Sequence, residues 1–396
     1  MDLKERIRAK SAKYLGEITG YRRHIHSHPE LSYREEETAA FVEKILRGWG
    51  LDPLRVAETG VTGLIEGSSP GACVVLRAEL DALPILEENQ ASYRSLHDGV
   101  MHACGHDVHA AALLGAIRIL LDLKDSWRGT VRYLFQPAEE VLPGGASAVI
   151  ASKILQHPRP DAIIAQHVFP ELETGRAGYR AGAYMASSDE VYIEVLGKGG
   201  HAALPQQLVD PVPIAAQLIL ALQQIVSRHA PPDVPTVLSF GKVNAPGATN
   251  VVPDKVWLEG TFRTFSESWR ARAHQLIRSM AEGLAGSMGA AVECRIVKGN
   301  PSLVNHEGLS ALLAPSMAEY LGESQVEELP IRMGSEDFAR YGALIPAFFY
   351  RLGTAIKERR TAIHTSTFDV DEKSLEYGTG LLAYLAITLL SRPAGS

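Results

Sequence analysis

Cysteine is scarce, with only Cys73, Cys104 and Cys294 in 396 residues. They are too few and too scattered for a disulfide framework, which favours a reducing compartment and makes any special cysteine a ligand or a nucleophile. A basic surplus is also lacking: Asp and Glu outnumber Lys and Arg by 46 to 39, for a formal charge of -7. With no Lys/Arg run able to track phosphates, nucleic acid is not an expected partner. No apolar run reaches the ~20 residues that span a bilayer, so no membrane is expected either. The most apolar stretch, residues 378–390, reads as a core helix. The chain opens on a charged amphipathic segment with no apolar centre or small-residue cleavage site, so the expected location is the cytoplasm. No G-x-S-x-G, P-loop or G-x-G-x-x-G follows a strand, which leaves serine-hydrolase and nucleotide-binding readings without support.

The composition, 46% hydrophobic and 21% charged, is that of a folded globular protein. The length exceeds the ~250–300 residues at which single cores stop growing and predicts two domains. Up to about residue 183 and again from 298, apolar strands alternate with helices: ACVVLRAELDALP, GTVRYLFQ, DAIIAQHV and AFFYRLG against HDVHAAALLGAIRILLDLK, GGASAVIASKIL and HEGLSALLAPSMAEYL. This α/β rhythm predicts a mixed or parallel sheet between helices, with chemistry at the strands' carboxyl ends. Residues 184–297 read as strand, helix, two strands, helix and strand, the pattern of a small inserted α+β unit. The expected domains are therefore 1–183 with 298–396, interrupted by 184–297.

The densest group of ligand-type side chains is MHACGHDVH, where His102, Cys104, His106, Asp107 and His109 cluster at a loop-helix junction. Thiolate and imidazole together suit a borderline divalent metal, and Gly105 permits the tight backbone that Cys-x-His chelation needs. A helix start that is merely rich in histidine would read the same way. In FQPAEE, Glu139 and Glu140 follow a buried strand; adjacent extended residues point opposite ways, so one can ligate while the other faces water. His167 ends another apolar strand and His364 lies on the late returning segment. His24, His26 and His28 close a helix and are assigned a structural or capping role.

Together these segments resemble the M20 metallopeptidases, in the branch of N-acyl-amino-acid amidohydrolases that includes hippurate and auxin-conjugate hydrolases. The resemblance runs through HPELS (28–32), ELDALP (79–84), MHACGHDVH (101–109), FQPAEE (135–140), QHV (166–168), GKGGHAALP (197–205), TNVVP (249–253), GTFR (260–263), GSEDFA (334–339) and HTSTFD (364–369). It implies a two-metal catalytic domain with an inserted lid through which a homodimer or higher homo-oligomer forms. It further implies that Cys104, His106, Glu140, His167 and His364 ligate two divalent ions (Zn, Mn, Co or Ni), with the Cys104 thiolate bridging them. Glu139 would be the general base, Asp81 would orient a ligand histidine, and His201 would stabilise the oxyanion, in related dimers from the partner subunit. Asn250 and Arg263 would hold the substrate carboxylate, for which an arginine fork is suited. The sequence departs from its relatives at Glu79, where they carry the shorter aspartate, so the wall beside the metals is expected to change while every ligand stays. The implied reaction is hydrolysis of small N-acyl-amino acids; a dipeptidase or carboxypeptidase is the rival enzyme, and a binder that has lost turnover is the non-enzymatic one.

Overall fold

A computed structural model describes residues 2–391. They divide into two compact units: the larger takes the chain up to Gly182, Val304–Pro330 and the residues from Asp337 on, and the smaller takes Ala183–Leu303 with Ile331–Glu336. Ala183 and residues 298–303 and 331–336, expected in the larger unit, group with the smaller one.

The larger unit is built on an eight-stranded mixed sheet. Its spatial order is Leu54–Val56, Gly60–Glu66, Thr130–Gln136, Cys73–Glu79, Ala162–Glu173, Ala347–Ala355, Ala177–Tyr179 and Val326–Glu328. Cys73–Glu79 pairs in parallel on both sides and is buried throughout, which explains its nearly unbroken apolar sequence. Helices Leu3–Ser27, His106–Asp122 and Ser374–Leu390 pack on one another and share the main core with the sheet. The last contains the apolar stretch 378–390, almost all of it buried.

Several strands escape pattern reading. Leu54–Val56, Ala177–Tyr179 and Val326–Glu328 are only three residues long, and Gly60–Glu66 is interrupted by Gly63, where a Cβ would lie 2.0 Å from the Tyr133 hydroxyl. Helix Gly145–Ala151 stops before the apolar pattern does, because Lys153 adopts left-handed backbone with φ 62°.

The smaller unit carries a four-stranded antiparallel sheet ordered Thr236–Asn244, Lys255–Thr264, Asp189–Leu196 and Ala291–Lys298. Helices Pro211–Gln224 and Glu267–Ser287 form a second core against it. The first begins at the Asp210 cap, whose side chain accepts the Val212 N–H, with Pro211 in the first turn. At the start of its strand, buried Asp189 accepts from Arg270 Nε at 2.9 Å and lies 2.6 Å from His274 Nε2.

Candidate metal centre

Five segments of the larger unit meet where the strands end. Asp81 follows the strand Cys73–Glu79, Pro137–Glu140 follow Thr130–Gln136, and Cys104 precedes the helix that begins at His106. His167 lies inside its strand, which runs on to Glu173. Its parallel pairing with Cys73–Glu79 stops at Arg77–Ala165, and the same register sets His167 level with Glu79, the last residue of that neighbour, at its carboxyl end. Gly105 caps the helix with φ 83°, and a Cβ there would come 2.4 Å from the Val168 side chain. Glycine thus lets the helix start abut the strand that carries His167. His364, itself left-handed at φ 61°, donates its N–H to the Ala103 carbonyl at 2.7 Å and so docks beside Cys104.

The side chains converge. Cys104 Sγ is 3.4 Å from His167 Nε2 and 3.3 Å from His364 Nε2. Glu140 Oε1 is 3.3 Å from His364 Nε2 and 3.9 Å from His106 Nε2. Glu139 joins them, offering an oxygen within 4.8 Å of donor atoms of His106 and Glu140.

The histidines are turned for ligation. His106 Nδ1 lies 2.8 Å from the Asp81 carbonyl oxygen, and His167 Nδ1 lies 2.8 Å from that of Val168. A carbonyl only accepts, so Nδ1 carries the hydrogen in each ring and Nε2 presents its lone pair to the cluster when the ring is neutral. It is mainly the backbone of Asp81 that orients His106. The carboxylate is 3.2 Å from the same nitrogen through Oδ1, while Oδ2 accepts the Glu140 N–H at 3.0 Å and the Ser32 hydroxyl at 2.7 Å.

The residues present fit a divalent ion. His106 Nε2 and Glu140 Oε1 are buried with no hydrogen-bond partner, an arrangement that is unfavourable unless something satisfies both. Burial and the Glu140 and Glu139 charges push the Cys104 thiol well above its ordinary value. Burial and Arg351 hold His167 well below its own, hence neutral. Burial opposes charge on His106, yet hydrogen bonding to Asp81 and the Glu79 charge raise it to about 10. A bound dication would favour the deprotonated thiolate and the neutral imidazoles of these same residues. The mixed S, N and O donor set is of the kind that divalent transition metals accept.

Behind the cluster lies a layer of buried charges that pattern reading missed. Glu79 pairs with Arg77 and lies 2.8 Å from His109 Nδ1, while His109 Nε2 accepts the Val168 N–H at 2.9 Å. Glu79 therefore anchors the backbone beside His167. Arg77 also pairs with Asp337 at 2.7 Å and donates to Gln136 at 3.0 Å. The sequence signals were the departure at Glu79, the His109 in the cluster and the two charges, Arg77 and Glu79, inside an otherwise apolar strand, none of which named the partners. His26 sits buried between Asp107 at 2.9 Å and Glu87 at 3.3 Å, tying down the helix start from behind.

In the smaller unit, Gly200–His201 and Val251–Val252 form a two-stranded ribbon, and the Ala202 N–H donates to the Asn250 carbonyl at 3.0 Å. His201 is exposed, its Nδ1 accepting the Ala203 N–H at 3.1 Å. Arg263 is half-buried on the four-stranded sheet and donates to the Met333 carbonyl at 3.2 Å. His201 and Asn250 are thus neighbours, and Arg263 stands apart from them on another sheet.

Residues 75–388 match the profile of peptidase family M20/M25/M40. The chain belongs to this family. Among M20 relatives, it is 41% identical over 305 residues to an N-acyl-L-amino acid amidohydrolase of Geobacillus stearothermophilus, covering 77% of this chain and 82% of the relative. It is 40% identical over 360 residues to an N-acetyl-L-cysteine deacetylase of Bacillus subtilis, covering 91% of this chain and 85% of the other. A Bacillus subtilis crystal structure described as a dinuclear metal binding peptidase of the M20 family aligns with TM-score 0.84 at 33% identity, over 96% of this chain and 99% of that one.

Proposed function

We propose that this M20 protein is a two-metal amidohydrolase that splits N-acyl-amino acids into a carboxylic acid and a free amino acid. The observation that carries the reading is the convergence of Cys104, His106, Glu140, His167 and His364, with His106 Nε2 and Glu140 Oε1 buried and unsatisfied. These five are assigned as the residues that would hold two divalent ions, zinc, manganese, cobalt or nickel, with Cys104 as the thiolate that both would share. Such a pair supplies Lewis-acid polarisation of the scissile carbonyl and acidification of water. Glu139 takes the proton of the attacking water and delivers it to the leaving amine, so one carboxylate serves as base and then as acid. The C–O bond forms first, giving a tetrahedral oxyanion; its collapse breaks the amide C–N bond as the amine takes the proton, and water is the only co-reactant. On the strength of their motifs, His201 is assigned as donor to the developing oxyanion, and Asn250 and Arg263 as the holders of the substrate's free carboxylate. The protein is read as a cytoplasmic homodimer joined through the smaller unit, a reading that rests on the family resemblance and is checked by light scattering.

The decisive experiment follows release of free amino acid from N-acetyl-, N-benzoyl- and indole-acetyl-amino acids and dipeptides, with metal-reconstituted wild type beside Glu139→Gln. Release from the acyl-amino acids is expected, and the variant should lose about 10²–10⁴-fold in kcat while binding the same amount of metal. Wild-type turnover by Glu139→Gln would remove the base assignment. Release from dipeptides alone would replace the amidohydrolase with a peptidase.

A further inference from the structure

Glu35 belongs to none of the recurring motifs, yet it is completely buried. It occupies the cap position of helix Glu36–Gly48 without capping it, because its carboxylate turns away from that helix. One oxygen accepts the Thr59 hydroxyl; the other accepts the Ala138 N–H at 2.8 Å. Ala138 immediately precedes Glu139 and Glu140, and its φ of 52° puts a residue with a side chain into left-handed backbone, which only glycine adopts without penalty. The opposite side of this turn is held as well. The Ala138 carbonyl accepts the Gly145 N–H at 2.8 Å, and a Cβ on Gly145 would lie 1.7 Å from the Pro137 carbonyl oxygen. With Asp81 receiving the Glu140 N–H, two buried carboxylates from distant parts of the chain grip alternate backbone amides of the Pro137–Glu140 loop.

We propose that Glu35 is a positioning residue: by holding Ala138 in its left-handed conformation, it aims Glu139 and Glu140 in their separate directions within the ligand cluster. The inference rests on the reading of Glu139 as base and Glu140 as ligand. Aiming a base within a fraction of an ångström decides rate more than substrate binding, so the loss belongs in kcat.

The test compares wild type with Glu35→Ala, Glu35→Gln and Glu35→Ala/Ala138→Gly for kcat, KM and Zn²⁺ affinity by competition with a chromogenic chelator. Glu35→Ala is expected to lower kcat by about tenfold or more with KM changed less than about twofold, and to weaken Zn²⁺ binding. Glu35→Gln, whose amide oxygen still accepts the Ala138 N–H, should keep most of the rate. Ala138→Gly in the Glu35→Ala background should recover up to about fivefold, since glycine needs no help to stay left-handed. A general loss of folding would not be repaired by adding a glycine. If Glu35→Ala does not fold, Glu35→Asp takes its place, keeping the charge while withdrawing it from the amide, with the same loss expected. Unchanged kcat and Zn²⁺ affinity in the folded variant overturn the proposal, as does a loss that neither Gln nor the glycine relieves. Glu139→Gln, run in parallel, separates the two readings: if it turns over normally, the base assignment fails and the Zn²⁺ titration alone decides whether Glu35 places Glu140.

Discussion

Asp189 shows how a single side chain can hold a unit together. It is buried at a strand start and accepts from Arg270, His274 and the Gly299 N–H. Burial favours its protonated form, but the bonds to Arg270 and His274 outweigh it and hold the carboxyl at about 2. A carboxyl held below its unfolded value of ~3.9 stabilises the fold at higher pH, and that contribution disappears as pH falls from about 4 towards 2. Asp189→Asn leaves buried Arg270 with only the partly exposed Glu267 carboxylate, 3.0 Å away, as its counter-charge, and the expected loss at pH 7 is about 1–3 kcal/mol in urea unfolding. The gap between wild type and variant should narrow below pH 4; equal midpoints at pH 7 would show that the cluster contributes nothing. Glu79 illustrates the same point in the larger unit. Sequence comparison marked it as a departure beside the metals, whereas the fold uses its length to reach Arg77 and His109 together.

Among the elements, the junction of helix His106–Asp122 with the strand Ala162–Glu173 matters most. The helix starts at His106, a proposed ligand, because Gly105 turns left-handed, and the strand approaches so closely that Val168 packs against that glycine. Gly105→Ala adds both a left-handed penalty of about 1–2 kcal/mol and a clash with Val168. The expected outcome is a lower denaturation midpoint together with weaker metal binding, since His106 and His167 sit on either side of the contact. A midpoint shift with unchanged metal affinity would mean that the junction supports the fold without shaping the cluster. The Cys-x-His pair at a helix start and the Glu-Glu pair after a strand were legible because each lies within one short segment. Glu79–His109 was not, because a carboxylate in an apolar strand carries no mark of what it faces.

At the scale of the whole molecule, the five proposed ligands all belong to the larger unit, although they come from stretches as far apart as Cys104 and His364. A ligand that binds only the folded state adds RT ln(1 + [L]/Kd) to stability, about 2.7 kcal/mol at one hundred times Kd. Chelation should therefore lower the calorimetric midpoint of the larger unit, and Zn²⁺ or Mn²⁺ should restore it, independently of any substrate. A midpoint indifferent to chelator, in protein shown by elemental analysis to have carried metal, would contradict the proposal that these residues bind it. The smaller unit, whose second core is closed by helices Pro211–Gln224 and Glu267–Ser287, has none of these donors and should respond little.

The sequence by itself determined the α/β class, because periodicity is a local property written in runs of a few residues, and it marked a ligand-rich cluster whose assignment came from the resemblance of its motifs. Only the tertiary structure decided which buried charges support that cluster. Glu35 meets Ala138 across 103 positions and Arg77 meets Asp337 across 260, and pairings so distant leave no periodic trace. It also decided that His106 is oriented chiefly by the backbone of Asp81, a donor-acceptor choice set by where a strand ends in space. Side-chain type can be read along a chain, whereas a partner is chosen by the closure of long loops and the need to satisfy every polar group that burial removes from water.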